Sequence, residues 1–156
     1  MDTLLELIHE FRILRTRAHA GELDAEAHAR LVGLRQLLGD DSAWKETRAR
    51  NGQGIYPVRF TVGGAFEEGS LQLLNGAGVV IAARHVPDAG ARLLVRLDGE
   101  REDVSYLFPA SVSWSRPGRL GVFGALFDGA SERTDTHEGW ATSMRLGDGA
   151  SVPMVA

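Results

Sequence analysis

The first forty residues repeat their apolar positions at the spacing of an α-helix. Gly21 suits the residue that follows a helix, because glycine accepts a positive φ, and Asp24 can cap a second helix. The spacing predicts an antiparallel helical hairpin over about residues 3–19 and 24–38. The apolar residues that define one face of each helix are Leu4, Ile8, Phe11, Leu31, Leu34 and Leu38.

Two helices alone cannot bury both apolar faces of such a hairpin. Each large apolar side chain left exposed forgoes roughly 1.5–3 kcal/mol of burial free energy. Three ways to cover this surface remain open: the rest of the chain, a second copy, or a partner protein. The six residues above are therefore candidates for a partner or oligomer surface.

After residue 50 the apolar pattern changes to a period of two, which is typical of β-strands. Short apolar runs are separated by turn residues, as in Gly63-Gly64 and Arg116-Pro117-Gly118. This pattern predicts a mainly β fold with a small antiparallel barrel or sandwich. The six predicted strands span residues 56–62, 70–74, 79–83, 92–98, 105–114 and 121–127.

The two patterns predict how the chain is divided. We expect a helical hairpin over residues 1–40, a polar linker over 41–54 and a β-domain over 55–130. Residues 131–156 are expected to hold a short helix, at about residues 136–146, and a loose tail.

Composition narrows the class of protein. The chain has 156 residues, 44% of them hydrophobic, and 17 Lys+Arg against 21 Asp+Glu, for a net charge of −4. Nucleic-acid binders usually carry a basic balance, so we expect no nucleic-acid partner.

The absence of cysteine excludes thiolate chemistry and disulfides. No stretch approaches the roughly 20 apolar residues of a membrane span, and the start lacks a signal-peptide pattern, so we expect a cytoplasmic protein.

Three segments of the β-region resemble the PilZ family. Residues 74–81 are similar to its turn-then-strand element, residues 87–95 to the "Pro…Gly, then strand" element that follows, and residues 112–127 to its closing pair of strands. The resemblance covers about residues 55–128. It implies a six-stranded antiparallel β-barrel in a bacterial regulatory protein. It also implies a setting in motility, pili or polarity control, and a link to cyclic di-GMP, which many members bind.

The ligand motifs that the resemblance implies are incomplete. Receptors of this family use Arg-x-x-x-Arg before the barrel, but Arg48 and Arg50 are only two residues apart. Their second motif is Asp/Asn-x-Ser-x-x-Gly. Aligning Gly78 with its glycine puts Asn75 at the serine position and Leu73 at the acidic position. Guanidiniums bind phosphates bidentately, so losing one such contact weakens nucleotide binding strongly.

A second alignment, two residues later, preserves no more of the motif. It places Asn75 at the acidic position, but Ala77 then replaces the serine and Val80 the glycine. We therefore expect a PilZ-like regulatory or adaptor protein that acts through protein–protein contacts and does not bind cyclic di-GMP. The alternative is a cyclic di-GMP receptor that uses the displaced residues Arg48, Arg50 and Asn75, with Gly78.

No other constellation points to chemistry. A Ser/His/Asp site needs converging side chains and an oxyanion hole, and no motif indicates one. We expect neither enzymatic activity nor a cofactor. The histidines show no metal-ligand spacing, so no metal site is expected. They are His9, His19, His28, His85 and His137.

Overall fold

The structure is a computed structural model that describes residues 2–38, 56–99 and 103–135. Helices α1 (Asp2–His19) and α2 (Ala25–Leu38) come first. The strands are β1 (Tyr56–Val62), β2 (Ala65–Leu74), β3 (Gly78–Ala83), β4 (Arg92–Asp98), β5 (Val104–Arg116), β6 (Gly121–Phe127) and β7 (Glu132–Asp135). The predicted linker and the predicted C-terminal helix lie outside the described residues, and the proposed division of the chain stays a prediction.

The helical hairpin forms at the predicted residues. Gly21 ends the first helix and Asp24 caps the second, as predicted. Gly21 follows α1 with φ of 72°, a conformation that costs glycine little. The N–H of Ala27 donates to Asp24 Oδ1 at 2.8 Å, so Asp24 caps α2. An ion pair between Glu10 and Arg30 joins the two helices on their exposed side.

The β-region is a closed six-stranded antiparallel barrel. The strands are hydrogen-bonded in the order β1-β2-β3-β6-β5-β4, and β4 closes the barrel by pairing with β1. At the closure, Phe60 lies opposite Val95. The mainly β fold with a barrel is thereby confirmed, and the sandwich alternative is wrong. Closure also removes the exposed strand edges that an open sheet would leave.

One strand is five residues longer at its start than predicted, and one strand is not in the predicted set. β2 begins at Ala65, directly after the Gly63-Gly64 turn, because backbone pairing with β1 continues through residues 65–69 although they lack apolar alternation. β7 is absent from the predicted set because its sequence, Glu-Arg-Thr-Asp, is entirely polar. It forms because β5 is longer than β6 and leaves its first residues free to pair, with Ser105 opposite Thr134.

The hairpin and the barrel share one hydrophobic core. Inside the barrel, Phe60 and Phe123 meet edge to face with ring centroids 5.0 Å apart. The α1 side chains buried deepest in this core are Leu5, Ile8 and Phe11, each at most 1% exposed, and Leu14 joins them at 8%. The hairpin packs at the barrel end where β3 begins and β6 ends. Of the three ways to cover the hairpin's apolar face, the described residues show the first.

Candidate functional site

Asn75 holds the turn that leads into β3. Its Oδ1 accepts hydrogen bonds from the backbone N–H groups of Ala77, at 2.8 Å, and Gly78, at 3.0 Å. Its own N–H donates to the carbonyl of Gly78 at 3.1 Å. This is an Asx-type turn, in which a side-chain oxygen replaces a backbone acceptor. An amide oxygen has two lone pairs, so this oxygen is already saturated by the turn.

Packing leaves little room for a side chain at either glycine of this turn, and least at Gly78. A Cβ at Gly78 would collide with the carbonyl oxygen of Ala125 on β6. A Cβ at Gly76 would lie 3.1 Å from Leu38 Cβ and from the Phe11 ring. The N–H of Gly76 donates to the carbonyl of Leu38 at 3.1 Å. The hairpin therefore lies directly over the turn at which the family resemblance places a ligand motif.

The other residues of the two motif alignments offer little to a ligand. Ala77 is 3% exposed and Val80 is fully buried, and Leu73 is half-buried against the core. The structure brings Asn75 and Gly78 together in one turn, whereas Arg48 and Arg50 lie outside the described residues. The described half of the candidate nucleotide site is thus a structural turn.

The predicted partner surface of the hairpin lies inside the molecule. Leu4 is half-buried against the core, and the other five side chains are buried. They are Ile8, Phe11, Leu31, Leu34 and Leu38. The apolar stripe correctly predicted burial, but a stripe does not reveal what buries it. Because these side chains are buried within the chain itself, little of their surface is left for a partner, and their role as a partner surface stays a prediction.

Arg12 joins α1 to the end of β6. Only 5% of the residue is exposed. Its Nη2 donates to the carbonyl of Phe127 at 3.1 Å and its Nε to the carbonyl of Gly129 at 3.2 Å. The guanidinium also lies 5.9 Å from the centre of the Phe127 ring, within cation–π range. The signal for its burial in the sequence is its position four residues after Ile8, which puts Arg12 on the apolar stripe of α1.

His9 forms a second connection between the hairpin and the barrel. Its Nδ1 lies 2.6 Å from Ser131 Oγ, within hydrogen-bond distance, and its ring tilts against Tyr106. Burial lowers the pKa of His9, the nearby Arg133 guanidinium lowers it further, and Glu6 opposes both effects. A neutral His9 therefore fits this site best.

Neither a metal cluster nor a membrane span is found in the part of the chain that the structure describes. No three His, Asp or Glu side chains among those residues are grouped so that they could hold a metal ion. Neither described helix combines the length and the apolar character that a membrane crossing requires.

Comparison with known proteins gives limited similarity. No protein-family model matches the sequence, and no curated protein matches it. Among solved structures, "MrkH, A novel c-di-GMP dependence transcription regulatory factor" aligns over 52% of this chain and 33% of its own, with 9% identity and a TM-score of 0.42. The apo structure of K. pneumonia MrkH aligns over 52% and 35%, with 11% identity and a TM-score of 0.41. This chain spans about a third of those chains, so the description of the fold rests on its own strand topology.

Proposed function

We propose that this protein is a PilZ-like regulatory adaptor that acts through protein–protein contacts and does not bind cyclic di-GMP at the turn before β3. The sequence resemblance supports the family and its setting in motility, pili or polarity control. The observation that supports the absence of nucleotide binding is that the hydrogen-bonding groups of this turn are already engaged within the protein. Asn75 Oδ1 accepts two backbone hydrogen bonds, and the Gly76 N–H donates to the end of α2.

A nucleotide at this turn would have to displace structure. A guanine that donated to Asn75 Oδ1 would take this oxygen from two backbone N–H groups, and unpaired buried donors cost about 1–3 kcal/mol each. It would also have to move Leu38 and Phe11, which lie against Gly76. Both the lost hydrogen bonds and the displaced side chains would weaken nucleotide binding, because the folded chain would have to rearrange before the nucleotide could fit.

Isothermal titration of the full chain with cyclic di-GMP tests the proposal. We expect no saturable heat up to about 1 mM nucleotide, which corresponds to binding weaker than about −4 kcal/mol. Saturable micromolar binding that is lost in the Arg50→Ala variant would instead support a receptor that uses Arg48, Arg50 and Asn75. That result would overturn the adaptor proposal.

A further inference from the structure

An apolar groove runs along the hairpin between α1 and α2. It is open to solvent, has a volume of about 970 Å³ and is lined by hairpin residues alone. Its apolar lining includes Leu7, Leu14, Ala27 and Leu37. Leu37 is 68% exposed, although burial of a leucine side chain is favourable by about 1.5–3 kcal/mol. The groove is therefore a surface on which further apolar contact would be favourable.

Gly33 lines the same groove and has no role in the packing of the described residues. It lies in the middle of α2, where glycine is less favourable than alanine. Among the described residues, no atom lies within 4 Å of the position that a Cβ would take there. A glycine at this point keeps the groove open and lets another backbone approach α2 closely.

The charged residues along the groove are mainly acidic. Asp24, Glu26 and Glu10 line it together with a single cation, Arg30. Arg30 is already engaged, since its Nε and Nη2 both donate to the Glu10 carboxylate. The end of the groove at the start of α2 therefore keeps the negative charge of Asp24 and Glu26.

We infer that this groove binds an amphipathic α-helix of a partner protein that carries lysine or arginine beside its apolar face. Helices commonly dock into apolar grooves through side chains at i, i+3, i+4 and i+7. α2 has 14 residues and is about 21 Å long, enough to contact three to four turns of a docked helix. A second copy would bring one acidic groove against another, which like charges disfavour. The inference rests on the proposed function, because it specifies the protein contact.

A synthetic peptide pair tests the chemistry of the occupant. The first peptide has about 16 residues, with leucines at i, i+3, i+4 and i+7 and lysines beside them. The second peptide has glutamates in place of the lysines. Fluorescence anisotropy of each labelled peptide is measured against the full chain. We expect saturable binding of the lysine peptide and at least about tenfold weaker binding of the glutamate peptide.

Three variants locate the binding. Leu37→Glu should weaken binding of the lysine peptide at least about tenfold. Gly33→Leu should abolish it by filling the groove, while the melting temperature stays at or above that of the wild type because the side chain enters open space. Val32→Glu is the matched control: Val32 is also exposed on α2, at 42%, but does not line the groove. It should leave the affinity unchanged.

Several results would overturn the inference. These are no saturable binding of the lysine peptide, equal binding of both peptides, or equal effects of Leu37→Glu and Val32→Glu. A wild-type dimer in sedimentation that Leu37→Glu dissociates would assign the groove to a second copy instead. If the lysine peptide does not bind and cyclic di-GMP gives no heat, the inference about the groove is rejected and the adaptor proposal stands. Micromolar binding of cyclic di-GMP rejects the adaptor proposal, and the peptide titration still reports on the groove.

Discussion

At the scale of single residues, the turn before β3 shows how the same residue types can serve either a ligand or a fold. The second ligand motif of the PilZ family combines an acidic or amide side chain with a serine and a glycine. Here the amide of Asn75 caps two backbone N–H groups, and Gly78 allows close contact with β6. The sequence predicted both residues as a pair but not their role, because hydrogen-bond partners are not encoded in spacing.

Replacing Gly78 with alanine should destabilise the protein. The added methyl group meets the Ala125 carbonyl oxygen in the adjacent strand, and overpacking of this kind costs about 1–3 kcal/mol. Urea unfolding measures the change. Gly118→Ala is the control, because its nearest neighbour lies at 3.9 Å. Equal stability of the two variants would contradict the close contact.

Asn75→Ala and Asn75→Asp separate the two roles of the side chain. Alanine removes the acceptor of two backbone donors, which should lower the free energy of unfolding by about 1–3 kcal/mol. Aspartate keeps an acceptor oxygen and should recover most of that loss. The comparison is made by urea unfolding, and an aspartate variant as unstable as alanine would show that the turn does not depend on the acceptor.

At the scale of elements, periodicity identified both helices and all six barrel strands. It missed β7, whose four residues are polar, because that strand forms only where β5 extends beyond β6. It also left open where the hairpin packs. Helical spacing specifies an apolar face and not the surface that covers it, so the docking onto the barrel end depends on the tertiary contacts of Phe11, Arg12 and Leu38.

The contact that His9 of α1 makes with Ser131 and Tyr106 should depend on pH. Its pKa lies below the ordinary value of 6.5 because of burial and Arg133. As the pH falls through about 6.5, His9 binds a proton in the unfolded chain before it does so in the folded protein. The free energy of unfolding should therefore decrease from about pH 6.5 down to the pKa of His9 in the folded protein. Urea unfolding between pH 8 and about pH 5 measures the loss.

Substitution of His9 identifies the titrating group. His9→Gln should flatten the pH dependence of unfolding in this range, because glutamine does not titrate there. His28→Gln, at an exposed position of α2, is the control and should leave the slope as in the wild type. An unchanged slope in His9→Gln would assign the pH dependence to other groups.

At the scale of the whole molecule, the hairpin and the barrel should unfold together because they share one core. Phe11→Ala removes a side chain that is 1% exposed and should lower the stability of the barrel by about 3–5 kcal/mol. Fluorescence of Trp114, with Trp44 and Trp140 replaced by phenylalanine, reports on the barrel. Leu37→Ala, at an exposed position, should change stability by less than about 0.5 kcal/mol.

Separate behaviour of the hairpin would contradict a shared core. If Phe11→Ala left the Trp114 transition in place while helical circular dichroism was lost at lower urea, the hairpin would be an independent appendage. A single transition, shifted to lower urea for both probes, is the expected result.

The hairpin's cover over the turn before β3 is the central claim, and amide hydrogen exchange tests it most directly. The Gly76 N–H donates to Leu38 and the Gly78 N–H to Asn75, so both should exchange as slowly as amides of the barrel core. Adding cyclic di-GMP should change neither rate. Fast exchange of Gly76 in the free protein, together with protection on adding the nucleotide, would show an open ligand site and contradict the claim.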